Sequence, residues 1–212
     1  MNFLDPKLDE YVIQHTSKES ELLYDLHRET YLKVLQPRML SGHFQGRVLS
    51  MISKMIRPER ILELGTYTGY SALCLAEGLS KNGKLHTIDK NEELEDFVQG
   101  FIDRSPFQNN IQQHIGNALE IIPQLKEDWD IVFIDADKEN YINYYDLLLP
   151  NLKSGCYILA DNILWSGKVV DETAQDKDTE LLREFNKRMT EDSRVENVLL
   201  PIRDGIQIGR VI

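Results

Sequence analysis

The chain has 212 residues, 42% hydrophobic and 28% charged, which describes an ordinary globular protein able to bury a substantial core. Its formal net charge of -11 weighs against broad binding to nucleic acid and against docking on anionic lipid, since both need basic surface. No run approaches the roughly eighteen apolar residues of a membrane span, and the acidic start from Met1 to Glu10 has no apolar signal segment. Cys74 and Cys156 each sit in an apolar run. As buried free thiols they fit a reducing cytoplasm.

In chain order, residues 6–35 read as helix, with Tyr11, Leu22, Leu23, Leu26 and Leu32 near helical spacing. A break follows at 36–42. A second helix over 44–56 presents Val48, Leu49, Ile52, Met55 and Ile56, and Arg57-Pro58 stops it. Short apolar runs then fall at 60–64, 84–88, 111–115, 130–134 and 156–160, with helical segments at 72–79, 92–102, 118–125 and 141–149 between them. Strands alternating with helices predict an α/β fold, a parallel sheet covered on both faces. The run at 130–134 is apolar on both faces, as a central parallel strand requires. A helix over 177–189 precedes two strand-like runs, 195–200 and 206–212. Asp204-Gly205 between them is a hairpin signal, so the sheet is expected to end in an antiparallel pair. We expect one domain over 1–212, a helical cap at 1–56 on an α/β core at 57–212.

The first strand runs into a glycine turn at Gly65 and Gly69, and a helix follows. Strand, glycine turn and helix form a nucleotide site at the carboxyl edge of a parallel sheet. Tyr67 and Tyr70 stand where a dinucleotide fingerprint needs small residues, so the ligand read here carries no pyrophosphate. Gly65 is expected to let the backbone approach an amino-acid-like group; spacing alone allows a plain tight turn as well. The next strand ends in Asp89, which can accept hydrogen bonds from ribose hydroxyls or cap a helix. The third ends at Gly116-Asn117-Ala118, where an adenine edge would lie.

The segment Leu62-Glu63-Leu64-Gly65-Thr66-Tyr67-Thr68-Gly69-Tyr70-Ser71 resembles the first motif of the cation-dependent O-methyltransferases, the caffeoyl-CoA and catechol O-methyltransferases among them. Phe133-Ile134-Asp135-Ala136-Asp137-Lys138 and Asp161-Asn162-Ile163-Leu164-Trp165 carry the resemblance further, and it runs from Arg38 to the C-terminus. It implies a doubly wound, seven-stranded Rossmann-like methyltransferase sheet with the last strand antiparallel. It also implies S-adenosylmethionine as donor, contacted by Met39, Glu63, Gly65, Thr66, Ser71, Asp89, Ala118 and Asp135. Asn117 departs from the Asp that many members carry; its amide keeps an acceptor and adds donors.

Asp135 closes the fourth strand and Asp161-Asn162 the fifth, so all three open onto one crevice. Two carboxylates and an amide oxygen suit Mg²⁺, Mn²⁺ or Ca²⁺. Spacing alone also allows helix caps or solvated loop residues; the resemblance favours the metal. It further implies that Lys138 removes the acceptor's hydroxyl proton, against a solvated lysine paired with Asp137 or Glu139. Trp165 is read as a wall of the acceptor site or as a core residue. Ser166 stands where plant caffeoyl-CoA enzymes carry Asn, which speaks against a coenzyme A thioester acceptor. The polar stretch 167–178 reads as a lid or as a solvated loop. The expected acceptor is a small phenolic with adjacent hydroxyls; the competing readings are hydroxyuridine in tRNA and a nonenzymatic nucleoside-binding module. The N-terminal helices are expected to build a homodimer.

Overall fold

The structure, a computed structural model, describes residues 5–212. The first four residues of the acidic start lie outside them. Five parallel strands, β1 (Arg60–Leu64), β2 (Lys84–Asp89), β3 (Ile111–Ile115), β4 (Ile131–Ile134) and β5 (Tyr157–Asp161), are joined by β6 (Val195–Leu200) and β7 (Ile206–Val211). The sheet order is β3-β2-β1-β4-β5-β7-β6, and β7 pairs antiparallel with both β5 and β6. This is the seven-stranded methyltransferase sheet with its last strand reversed.

Alternation along the strands builds two cores. Leu62, Leu64, Val132, Ile134, Ile158 and Ala160 face α7 (Tyr141–Leu148) and α8 (Lys177–Glu191), where they meet Tyr145, Leu182, Phe185 and Met189. Ile61, Leu85, Ile131, Phe133 and Leu159 face the other way, toward α2 (Glu21–Lys33), α3 (Gly42–Ile56), α4 (Tyr70–Ala76) and α5 (Glu95–Arg104). All four residues of β4 are buried, as the unbroken apolar run predicts. A fully buried Leu or Ile contributes about 1.5–3 kcal/mol, so these two layers hold the strands in register.

The single helix expected over 6–35 is two helices. α1 (Pro6–Gln14) is capped by Asp5, which accepts from the Lys7 N–H at 2.9 Å. α2 starts after Ser20, whose hydroxyl accepts from the Leu23 N–H at 3.3 Å. That cap terminates the run because Ser20 is held extended, so the chain turns between 15 and 20. α1 has no buried residue, whereas α2 buries Leu23 and Leu26. The predicted helix at 118–125 is a short α6 (Ala118–Ile121) followed by a 3₁₀ turn at Pro123. The β6–β7 turn is centred one residue earlier than Asp204-Gly205 suggests: the Gly205 N–H returns to the Ile202 carbonyl at 2.9 Å, with Arg203 at φ 50°.

In this order the connections reverse direction between β1 and β4, which opens a crevice at their carboxyl ends. No helix among the described residues is long and apolar enough to cross a membrane.

Candidate active site

The turn after β1 is shaped by another part of the chain. Gly65 has φ +97°, and a Cβ there would lie 1.9 Å from the Asp135 carbonyl oxygen. The Asp135 N–H donates to the Leu64 carbonyl at 2.8 Å. Gly65 is therefore required by the exit of β4, rather than only by the approach of a ligand. Gly69, at φ +84°, leads into α4. Between them Tyr67 adopts φ 47°, a costly conformation for an aromatic residue. Its N–H donates to Asp89 Oδ2 at 2.7 Å and its hydroxyl to the Gln36 carbonyl at 2.9 Å. Asp89 Oδ1 accepts from the Asn91 N–H at 2.9 Å. Each oxygen of Asp89 keeps a lone pair for a further donor.

Glu63 is fully buried beneath this turn. Thr87, its register partner on β2, donates its hydroxyl to Glu63 Oε2 at 2.5 Å. That hydroxyl has one hydrogen, so Thr66, 2.5 Å away, donates to Thr87 in turn. Burial pushes the Glu63 carboxyl from 4.5 up to about 8, against the pull of the neighbouring Ser71 and Thr87 hydroxyls. Glu63 Oε1 has no protein partner. A buried orphan acceptor of this kind suits a cationic or N–H-bearing ligand. Ala118 is buried at the start of α6, where Asn117 is the cap and accepts from the Leu119 N–H at 3.1 Å. Met39 lies exposed just before α3.

The ends of β4 and β5 hold a second cluster. Lys138 Nζ lies 2.6 Å from the Tyr141 hydroxyl, 3.0 Å from Asn162 Oδ1, 3.2 Å from the Ala136 carbonyl and 3.5 Å from Asp135 Oδ1. It does not pair with Asp137, which takes hydrogen bonds from Tyr144 and Asn140, or with Glu139, which pairs with Lys177. The Tyr141 hydroxyl, fully buried, also reaches the Asp161 carbonyl at 3.1 Å. Asp161 is 2% exposed and accepts from the Asn162 N–H at 2.7 Å and from Gln45 Nε2 at 2.5 Å. Burial, and then the charge of Asp135, raise its carboxyl above the ordinary range. Asn162 is left-handed, at φ 60°.

These oxygens fit a hard dication. Asp135 and Asn162 already bracket an ammonium, and Asp161 carries repulsion that added positive charge relieves. Among the described residues no three His, Cys, Asp or Glu side chains gather as a metal-ligand group. The set that could hold a metal is two carboxylates and one amide, with water needed to complete it.

Beyond Asn162, Trp165, Ser166 and Gly167 are consecutively left-handed, at φ 47°, 56° and 82°. The Ser166 N–H donates to Asp204 Oδ1 at 2.5 Å. A Cβ on Gly205 would lie 2.5 Å from Leu164 Cγ, so the β6–β7 turn packs tightly under this bend. Trp165 rests partly buried on the core, and its ring centroid is 5.9 Å from Lys138 Nζ. Gln45, Tyr141 and Thr87 belong to no local motif. Gln45 is a polar residue on the buried side of an amphipathic helix, and that was the only signal it offered.

Residues 13–212 match the O-methyltransferase family. The chain belongs to that family. Caffeoyl-CoA O-methyltransferase 5 of Nicotiana tabacum is 33% identical over 97% of this chain and 91% of its own length. The O-methyltransferase of Bacillus cereus, solved in complex with SAH, superposes with a TM-score of 0.89 at 28% identity, covering 97% of both chains. An O-methyltransferase of Streptomyces achromogenes involved in tomaymycin synthesis, solved with SAM, gives 0.88 at 27% identity over 97% of this chain and 96% of that one. In this O-methyltransferase the Glu63 cluster and the Lys138 cluster share one sheet edge. The Gly65–Asp135 backbone contact joins them.

Proposed function

We propose that this O-methyltransferase moves the methyl group of S-adenosylmethionine to one hydroxyl of a small aromatic bearing two adjacent hydroxyls, with a divalent cation, Mg²⁺ foremost, at the acceptor. The observation that carries the reading is the abutment of two clusters at Gly65–Asp135: an orphan buried acceptor, Glu63 Oε1, on one side and the Asp135, Asp161, Asn162 and Lys138 set on the other. Solved relatives hold SAH and SAM, and the tobacco relative is named for caffeoyl-CoA.

Glu63, Gly65, Thr66, Ser71, Asp89 and Ala118, with Met39 at the rim, would hold the donor. Glu63 Oε1 accepts from its amino group, and the free lone pairs of Asp89 accept from its ribose. Asp135, Asp161 and Asn162 would hold the cation. When bound, a dication supplies positive charge that favours the ionised form of the phenol. Lys138 lies 2.6 Å from the Tyr141 hydroxyl, and after releasing one proton of its own to solvent it would take the hydroxyl proton of the acceptor. Trp165 walls the acceptor ring, and Ser166 lines the edge beside it. Orientation of two bound reactants supplies on the order of 7–11 kcal/mol toward the barrier.

We assign the enzyme to the cytoplasm, supported by two buried, unpaired cysteines. We take the homodimer as its working state, supported by the exposed apolar side chains of α2 and α3. The test is methyl transfer followed by mass, with a panel of vicinal diphenols and hydroxyuridine tRNA, each in Mg²⁺ and in EDTA. Diphenol methylation that disappears in EDTA and in Asp161→Ala is the expected result. Methylation of tRNA alone would overturn the acceptor, and indifference to EDTA would overturn the metal.

A further inference from the structure

The stretch between Trp165 and α8 has no strand partner, yet one side chain organises it. Arg183, on α8, donates from Nε to the Val169 carbonyl at 3.0 Å and from Nη1 to the Ala174 carbonyl at 2.9 Å. Its Nη2 donates to the carbonyls of Lys168 at 2.9 Å and Asp171 at 2.5 Å. Four main-chain acceptors spread over 168–174 thus converge on one planar cation, which presents its donors in a fixed fork. Backbone groups that lack a ladder must find partners elsewhere: the carbonyls of Lys168 and Asp171 also accept from the Asp171 and Ala174 N–H groups at 3.0 Å, and the guanidinium ties these turns together.

The ends of the stretch are fixed as well. Upstream, Ser166 is pinned to Asp204. Downstream, Lys168 pairs with Asp176 at 3.0 Å, and Asp176 caps α8 by accepting from the Thr179 N–H at 3.2 Å. Lys177 pairs at 2.7 Å with Glu139, the neighbour of Lys138. Val169 and Trp165 both rest on the core between these anchors. The stretch has the anchors of a fixed wall, with Arg183 as its central pin.

We infer that Arg183 is a positioning residue for the acceptor: by holding 168–174 it fixes Trp165 opposite Lys138, and so selects a planar aromatic acceptor at that distance. This rests on the reading above that Trp165 walls the acceptor. The four hydrogen bonds of Arg183 all go to residues 168–174 and none to the donor cluster, so its loss is expected to act on acceptor binding alone.

The experiment uses the full chain with Arg183→Leu and Arg183→Lys. Amide hydrogen exchange over 165–176 is measured beside steady-state kinetics on vicinal diphenols and SAM affinity. In Arg183→Leu we expect faster exchange over 165–176 and an acceptor KM raised about tenfold or more, with kcat and SAM affinity within roughly twofold of wild type. Lysine keeps the charge without the fork, so Arg183→Lys falls between the two. Unchanged exchange, unchanged acceptor KM, or an equal loss of SAM affinity would each overturn the inference. A wild type that methylates no diphenol would overturn the acceptor reading and the selectivity claim with it. The exchange arm would then still decide whether Arg183 holds the stretch.

Discussion

Glu63 ties the chemistry of the proposed donor site to the stability of the protein. Its carboxyl ionises at 4.5 in the unfolded chain and at about 8 in the folded one. Its contribution is present in full below 4.5 and is lost as pH rises through about 8, because the unfolded chain gives up its proton first. Replacing it by glutamine removes that dependence. Glu63→Gln should melt above wild type at pH 8 and close to it at pH 5, while binding SAM more weakly; thermal melts at both pH values with and without SAM measure all three. Gly65→Ala tests the other side of the same turn. Its Cβ would fall 1.9 Å from the Asp135 carbonyl at a φ that alanine resists. We expect a loss of at least about 3 kcal/mol in urea unfolding, the range of severe backbone conflicts. Glu63 was singled out only by the motif that carries the family resemblance, but the turn at Gly65 was legible in the sequence, because strand, glycine turn and helix form a contiguous pattern. What Gly65 touches was not, since Asp135 reaches it from a strand that is distant in the chain. Thr87 was hidden for the same reason: only the β1–β2 register brings it beside Glu63.

Among the elements, parallel strands were the easiest to read, because burial on both faces leaves them continuously apolar. The N-terminal helices were misjoined, since apolar spacing continues on both sides of the turn at 15–20 and only the Ser20 cap marks the break. The β2–β3 edge carries a feature that strand patterning does not disclose. His86 Nδ1 and His114 Nε2 lie 3.0 Å apart, so one nitrogen donates and the other accepts. Burial lowers the pKa of both, and for His86 the neighbouring His114 lowers it further, with Glu127 opposing. Histidines depressed in the folded state are protonated first in the unfolded chain. Their contribution is therefore present above the ordinary value of about 6.5 and is lost as pH falls below it. Glu63 works in the opposite sense over the same interval, so the histidine contribution is read as a difference between variant and wild type. The urea midpoint of His114→Gln, which keeps polar groups but does not titrate, should rise relative to wild type as pH falls from 7.5 to 5.5. A difference that does not change with pH would place the acid sensitivity elsewhere.

At the scale of the whole molecule, the acidic balance and the crevice were readable, but surface apolarity was not, because a helical repeat does not say which of its apolar residues find a neighbour. Leu32 on α2 is 69% exposed and Met55 on α3 70%, on helices whose other faces are packed, and Leu35, just past the end of α2, is 98% exposed. Exposed apolar groups on α2 and α3 support the proposed association of copies through this cap. A second copy of this chain supplies the same side chains, and a two-fold contact lets each patch cover its counterpart. In such a dimer a charge of -11 on each copy would oppose further association. Analytical ultracentrifugation should then find a dimer. Leu32→Glu combined with Met55→Glu should yield a monomer with an unchanged far-UV spectrum, because neither residue belongs to the buried core. The Glu63 and Lys138 clusters lie at the carboxyl ends of β1, β4 and β5 within a single chain, so the monomer should bind SAM with wild-type affinity. A monomeric wild type would refute the dimer while leaving the methyl-transfer chemistry intact.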